Sequence, residues 1–155
     1  MVKLSDRQVA VRDHFRSVLL SMEEAVRATP GSTINGHPDC PVTHHFCNGI
    51  YMREAFVPRG MLLIGKIHRH DHPCFIKEGK ILILAEDVGS QVMRGPMMFI
   101  SKAGVKRVGI AMKDTIWITI HPNPNGHTKW TPEFEDEIIA LTYLELEQGE
   151  ASCQQ

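Results

Sequence analysis

The sequence predicts a mainly β fold, a small antiparallel β-barrel that lies between an N-terminal helix and a C-terminal helix. Two observations support this fold class. Apolar residues recur at helical spacing near the two ends of the chain, whereas from about residue 47 to residue 121 short β-type runs alternate with turn residues. A length of 155 residues is typical of one domain, so residues 1–155 are expected to form a single unit.

The N-terminal helix is predicted over residues 5–28. Ser5 can cap it, and Gln8 can complete a capping box with Ser5. One apolar stripe then follows the 3.6-residue period of a helix, and it consists of Val11, Phe15, Val18, Met22 and Val26. The sequence Thr29-Pro30-Gly31 is expected to end the helix.

Six β-type runs follow at short and regular spacing. They are Gly49–Val57, Met61–His70, Lys80–Glu86, Met97–Ser101, Val105–Met112 and Thr115–His121. Because no helical pattern separates them, antiparallel pairing in a barrel or sandwich is favoured over parallel βαβ winding. Glu78-Gly79 is expected to be one of the breaks between strands. The last two runs are expected to form a hairpin with Lys113-Asp114 as its loop.

The C-terminal helix is predicted from about residue 131 to residue 148. Thr131 offers an N-cap and Pro132 suits the first helical position. Phe134, Ile138 and Leu141 then mark a buried face of this helix.

Composition and charge exclude several classes of protein. Lys plus Arg is 17 and Asp plus Glu is 18, which gives a formal net charge of −1 and no electrostatic attraction to a nucleic-acid backbone. No apolar run approaches the roughly 18 residues of a membrane span. The first residues lack the pattern of a secretory signal, and the four cysteines are then expected to be reduced thiols. We therefore expect a cytoplasmic protein with neither nucleic acid nor membrane as a partner.

The strongest chemical signal is the run His68-Arg69-His70-Asp71-His72. Side chains of a strand alternate between its faces, so these three histidines are expected to project from one side and to share a cation. The expected cofactor is a divalent metal ion such as Fe, Zn, Mn or Ni. Asp71 is expected on the other face if the strand continues, and it could orient an imidazole if a turn begins there. The alternative is an ordinary solvated stretch at the end of a strand.

His121 is a candidate for a further metal ligand. In the predicted hairpin Lys106 pairs with His121, which brings this histidine to the same level of the barrel as Lys106 and Arg107. The alternative is a histidine that faces solvent at the end of its strand.

Two stretches resemble the motifs of the cupin superfamily. A glycine and a short strand lead into His68-Arg69-His70 and then to Gly79-Lys80-Ile81, as in the first cupin motif, and the stretch from Pro96 to Arg107 resembles the second. The resemblance covers roughly residues 49–121. A wider pattern, from Pro41-Val42-Thr43-His44 to Asp114-Thr115-Ile116-Trp117, is similar to small cupin-like proteins of tailed bacteriophages. The resemblance implies a jelly-roll barrel, and host cytoplasm as the location if the chain is phage-encoded, but no particular reaction.

The chain departs from the cupin pattern at two positions. The usual glutamate of the first motif falls at His72, which is expected to replace it. The usual histidine of the second motif falls at Arg107, whose guanidinium stays protonated and cannot ligate a cation. Arg107 and the neighbouring Lys106 are instead candidates to hold an anionic substrate. If His121 does not supply the missing ligand, the other histidines alone hold metal weakly.

Two further groups of residues are candidates. If Glu54 faces the inside of the barrel, it could act as a general base; otherwise Arg53 and Glu54 are ordinary surface residues. The second group has the composition of a zinc site but irregular spacing, so it forms either a structural zinc site or a loop over the mouth of the barrel. Its members are His37, Cys40, His44, His45 and Cys47.

The leading functional hypothesis is a metal-dependent enzyme that acts on a small anionic molecule by dioxygenation, isomerisation or lyase chemistry. Its expected metal ligands are His68, His70, His72 and His121, and its expected catalytic residues are Glu54 and Arg107. The alternatives are a non-catalytic module that binds a small ligand or a phage accessory protein, and a structural role. In the structural role, edge strands or the N-terminal helix form a homodimer and the histidines hold a cation that only stabilises the protein. A homo-oligomer is expected in each case.

Overall fold

The computed structural model describes residues 5–32 and 37–146. Its elements are α1 (Asp6–Ala28), β1 (Val42–Cys47), β2 (Gly49–Val57), β3 (Leu62–Ile64), β4 (Ile67–His68), β5 (His72–Ala85), β6 (Gly89–Arg94), β7 (Met97–Ser101), β8 (Arg107–Asn123), α2 (Pro132–Ile138) and β9 (Ile139–Ala140). The predicted class, antiparallel strands between an N-terminal and a C-terminal helix, is confirmed. In the described part of the chain, no helix has both the length and the apolar character needed to cross a membrane.

Two long strands organise the main sheet, whose order is β1-β2-β8-β5-β6. β5 pairs with β7 along its first part and with β6 along its second, while β8 pairs with β2 and β3 along different parts of one edge. Because the long strands change partners along their length, the sheet folds over as a jelly roll. Among the described residues the hydrogen-bonded path ends at β1 and at β6, so the predicted closed barrel is an open roll.

The N-terminal helix has the predicted cap, and its predicted apolar stripe is half-buried apart from Val11. The Ser5 hydroxyl accepts the N–H of Gln8, and the Gln8 side chain accepts the N–H of Ser5 at 2.9 Å. Leu19, which lies outside the predicted apolar stripe, is the fully buried residue of the described helix, whereas Val11 is 49% exposed. Ion pairs also join the helix to the sheet: Arg16 with Glu86 and Glu23 with Lys106.

The predicted break at Glu78-Gly79 is a bulge inside one continuous strand. β5 runs from His72 to Ala85, and its register against β8 shifts between Ile76 and Ile81. Gly79 has a φ of 100°. A glycine at positive φ suits a bulge as well as a turn, which is why the sequence did not separate the two possibilities.

The predicted hairpin at Lys113-Asp114 is wrong, because Arg107–Asn123 is one strand. Asp114 does not form a turn of its own: its side chain accepts the N–H of Arg59, in the turn between β2 and β3, at 2.8 Å. Lys106 therefore does not pair with His121. The run Met61–His70 is likewise divided, into β3 and β4.

The C-terminal helix is shorter than predicted. Thr131 caps it as expected, by accepting the N–H of Phe134 at 3.2 Å, but α2 ends at Ile138. The next residues form β9, which pairs with β4, and residues 143–146 are helical again. Ile138, Ile139 and Ala140 are consecutive and all buried, and an extended segment can bury consecutive side chains where the one apolar face of a surface helix cannot. The predicted burial of Leu141 is wrong: it follows β9 and is 80% exposed. Residues 147 and 148 of the prediction lie outside the described residues.

Candidate metal centre

Three histidines from three different strands meet inside the roll. His68 ends β4, His72 begins β5 and His121 lies near the end of β8. One ring nitrogen of each lies within 4.8 Å of the others, and the ring centroids are 4.2 to 4.9 Å apart. His72 and His121 are only 2% and 3% exposed. Such a group has the donor type and the spacing needed to surround one metal ion.

Sheet register brings His72 and His121 together. Cys74 of β5 pairs with Thr119 of β8, and the same register continued by two residues sets His72 opposite His121. On the other edge of β8, Tyr51 of β2 pairs with His121. The third histidine, His68, pairs with Ile139 of β9.

The structure does not place His70 with this group. The chain bends at Arg69 and His70, and the His70 side chain is exposed. Its backbone carbonyl oxygen lies 3.1 Å from Nδ1 of His72 and can accept an N–H from that ring. Such a bond puts the proton of His72 on Nδ1 and leaves Nε2 free to ligate. Asp71 is also exposed and forms an ion pair with Lys102.

The environment keeps the three imidazoles neutral. Burial lowers the pKa of His121 to about 3, and the nearby His72 and Arg53 add to this effect. Burial also lowers the pKa of His68 and of His72. Nδ1 of His68 and Nε2 of His121 are buried and have no hydrogen-bond partner among the described residues. Neutral imidazole nitrogens without partners are what a metal ion requires, so these residues fit a metal.

We expect the metal-free protein to lose stability when the pH falls below about 6.5. Each histidine with a lowered pKa then takes up a proton in the unfolded chain but not in the folded one. For His121 this difference holds from about pH 6.5 down to about pH 3. The free energy of unfolding should fall by up to about 1.4 kcal/mol per pH unit for each histidine involved. Urea unfolding at pH 7.5 and pH 5, with chelator present, measures the difference. His121→Gln should reduce it, and an unchanged difference in this variant would contradict the assignment.

A cavity of about 1070 Å³ adjoins the histidines. Tyr51, Ala55 and Val57 of β2 are buried and share one face of the strand, and Arg53, which is half-buried, lies on the same inner face. Arg53 lines the cavity, whereas Glu54 belongs to the opposite face of β2 and does not line it. Arg53 was expected at the surface, although the apolar residues on the same face of the strand, Tyr51 and Ala55, already indicated an inward position.

The basic pair Lys106 and Arg107 is divided between two environments. Arg107 lines the cavity, but its guanidinium donates to Ser101 at 2.6 Å and pairs with Asp87 at 2.7 Å. Its Nε is buried without a partner among the described residues. Lys106 points to α1 instead and pairs with Glu23 at 2.9 Å. Lys106 therefore does not anchor a ligand in the cavity.

The segment with zinc-site composition contributes to the wall of the cavity. Among the described residues, its histidines and cysteines do not come together as a metal-binding group. The predicted loop over the mouth is wrong for half of this segment, because Val42–Cys47 form β1. His37, Cys40 and His44 line the cavity. Nδ1 of His44 lies 2.7 Å from the hydroxyl of Tyr51, and its ring stacks on Trp130 at 5.0 Å.

The structure is similar to those of two enzymes. It matches a salicylate 1,2-dioxygenase from Pseudaminobacter salicylatoxidans with a TM-score of 0.53 and 10% identity, over 82% of this chain and 35% of that one. It matches an ectoine synthase from P. lautus with a TM-score of 0.51 and 14% identity, over 77% of this chain and 88% of that one. An RmlC-like cupin from Shewanella frigidimarina matches with a TM-score of 0.48 and 14% identity, over 60% of this chain and 81% of that one.

The chain has a cupin-type fold. No protein-family model and no curated protein matches the sequence, so the similarity is one of fold. A cupin-type fold agrees with the jelly roll expected from the two motifs, and it carries many unrelated functions. The fold therefore does not assign a function, which depends on the residues of this chain.

Proposed function

We propose that the chain is a metal-dependent enzyme that binds one divalent ion through His68, His72 and His121 and acts on a small anionic molecule in the adjoining cavity. One observation carries this proposal: three neutral imidazoles meet at the cavity wall, and two of their nitrogens lack any partner among the described residues. The volume of about 1070 Å³ is at the upper end of the range of small-molecule sites.

The number and type of ligands favour catalysis over a purely structural ion. Structural zinc sites are closed by four protein ligands, whereas catalytic sites use three and leave a position for water or substrate. Imidazole donors without a carboxylate suit iron, zinc or nickel better than calcium or magnesium. The ion would supply Lewis-acid or redox chemistry at that open position. The dioxygenase of similar fold is known as an adduct with gentisate, which agrees with a small acid as the ligand here.

The residues of the chain orient the centre and shield it from water. The His70 carbonyl holds the ring of His72 in one orientation through Nδ1. Trp117 and Trp130 line the cavity and give it apolar walls. Glu54 lies on the outer face of β2 and has no role in this proposal. Arg107 keeps one donor for a ligand, its Nε, because the rest of its guanidinium already has partners. Dioxygenation, isomerisation and lyase chemistry all remain compatible with this arrangement.

Cobalt substitution tests the proposal directly. Protein stripped with chelator and titrated with Co²⁺ should bind one equivalent and develop visible absorption bands that report its coordination. Adding azide should shift these bands, because an open position accepts a further ligand. Failure to bind one equivalent would refute the metal site. A spectrum that azide leaves unchanged would favour the structural or non-catalytic alternatives.

We also propose, from the sequence, a homo-oligomer, a cytoplasmic location and a relationship to phage proteins.

A further inference from the structure

Arg53 is a cation in the cavity wall without a counter-charge. It forms no salt bridge and no side-chain hydrogen bond with any residue that the structure describes. Lys66 and Arg107 also line the cavity, but they pair with Glu135 and Asp87. A guanidinium withdrawn from bulk water is stabilised by an anion, and here the protein does not supply one.

The residue beside Arg53 on the next strand is also unpartnered. Arg53 pairs in register with Thr119 of β8, and both line the cavity. Thr119 is 8% exposed, and its hydroxyl is buried without a hydrogen-bond partner among the described residues. Directly paired residues of antiparallel strands have Cβ atoms about 5 Å apart. The guanidinium and the hydroxyl can therefore donate to the same small group.

These two donors lie next to the histidines. Thr119 precedes His121 by two residues on the same face of β8, a separation of roughly 7 Å along a strand. Arg53, Thr119 and the three histidines also line the same cavity. The unpartnered donors and the metal centre therefore face the same region of the cavity.

The geometry points to Arg53 and Thr119 as the subsite that binds a carboxylate group of the ligand, a placement that rests on the proposed function. The planar guanidinium fork matches the two oxygens of a carboxylate, and the threonine hydroxyl adds a third donor. The single positive charge of the arginine balances one negative charge, and the neutral hydroxyl adds a donor without adding charge. Arg107, the anchor expected from the sequence, already has Asp87 as its partner. The ligand would then reach the metal centre with a group a few bonds away from its carboxylate.

Binding of small acids to protein variants tests this subsite. Calorimetry compares acetate, benzoate and succinate with their neutral amides, in metal-free and in Co²⁺-loaded protein. At least one acid should bind the native chain more tightly than its amide. For that acid, Arg53→Gln should weaken binding by about 10- to 100-fold and Thr119→Val by about 5- to 10-fold, because hydrogen bonds to a charged group are lost. Arg53→Lys should restore only part of the affinity, since it keeps the charge but lacks the fork.

Arg59→Gln is the matched control, because Arg59 also lines the cavity but is exposed and lies in the turn between β2 and β3. Binding of the acid should stay within about twofold in this variant. The subsite is overturned if no acid is preferred to its amide, or if Arg53→Gln and Arg59→Gln weaken binding equally. Co²⁺ affinity, measured in the same samples, separates the two proposals: Arg53→Gln should not lower it. Native chain that binds an acid but no cobalt would keep the subsite and refute the metal centre.

Discussion

His72→Ala should lower the affinity for a divalent metal ion by at least about 100-fold, whereas His70→Ala should leave it within about threefold. His72 is buried and lies in the group of three imidazoles, so its loss leaves two ligands. The side chain of His70 is exposed and lies outside that group. The contact of His70 with the site is made by its backbone carbonyl, which alanine keeps. The two substitutions therefore distinguish a metal site assembled by the fold from one formed by three regularly spaced histidines of a single strand.

The measurement is competition for Zn²⁺ against a chromophoric chelator, together with elemental analysis of the purified variants. His121→Ala should behave like His72→Ala, since it removes a ligand from a different strand of the same group. Urea unfolding of each variant shows whether a loss of metal reflects a loss of fold. Equal metal content in the His70 and His72 variants would remove the proposed centre.

Gly79→Ala should destabilise the fold by about 4 kcal/mol or more, because two costs add together. Gly79 has a φ of 100°, a conformation in which an L side chain is strained. An added Cβ would also lie 2.5 Å from the Cα of Thr115, and closer still to the carbonyl oxygen of Asp114. These are backbone atoms of β8, which is paired on both edges and has little freedom to move.

Gly60→Ala provides the matched control. Gly60 has a φ of 86°, but an added Cβ would meet no atom within 4 Å. This variant should carry only the conformational strain, about 1 to 2 kcal/mol. Midpoints of urea unfolding compare the two variants. Similar losses of stability would show that overlap with β8 contributes nothing and that the bulge can adjust.

Local patterns in the sequence predict the elements that depend on neighbouring residues. The cap formed by Ser5 and Gln8, the strand Gly49–Val57 and the N-cap Thr131 all depend on residues a few positions apart. The bulge at Gly79 and the continuity of β8 through Lys113 depend on pairing between distant strands. The composition of a short segment does not encode which strand lies beside it, so both were mistaken for turns.

The prediction of the candidate site was limited in the same way, because the site also depends on pairing between distant strands. His121 was expected beside the other histidines through a hairpin with Lys106, but it reaches them through pairing with β2 and the register of β5. The prediction that His68, His70 and His72 point to one side required a straight strand. The chain bends at His70, so that the His70 side chain is exposed and lies apart from the other two. The inward position of Arg53 was not predicted, because charged side chains are usually exposed. The apolar residues on the same face of β2 were the signal that could have indicated it.

The small sheet of β4 and β9 links the candidate site to the C-terminal segment. His68 pairs with Ile139, immediately after α2, while His72 and His121 belong to the main sheet. A metal ion bound by all three imidazoles would therefore cross-link the roll to the segment that follows α2. Proteolytic cleavage near Ala140 should then be slower in metal-bound than in metal-free protein, since cleavage requires that segment to detach first.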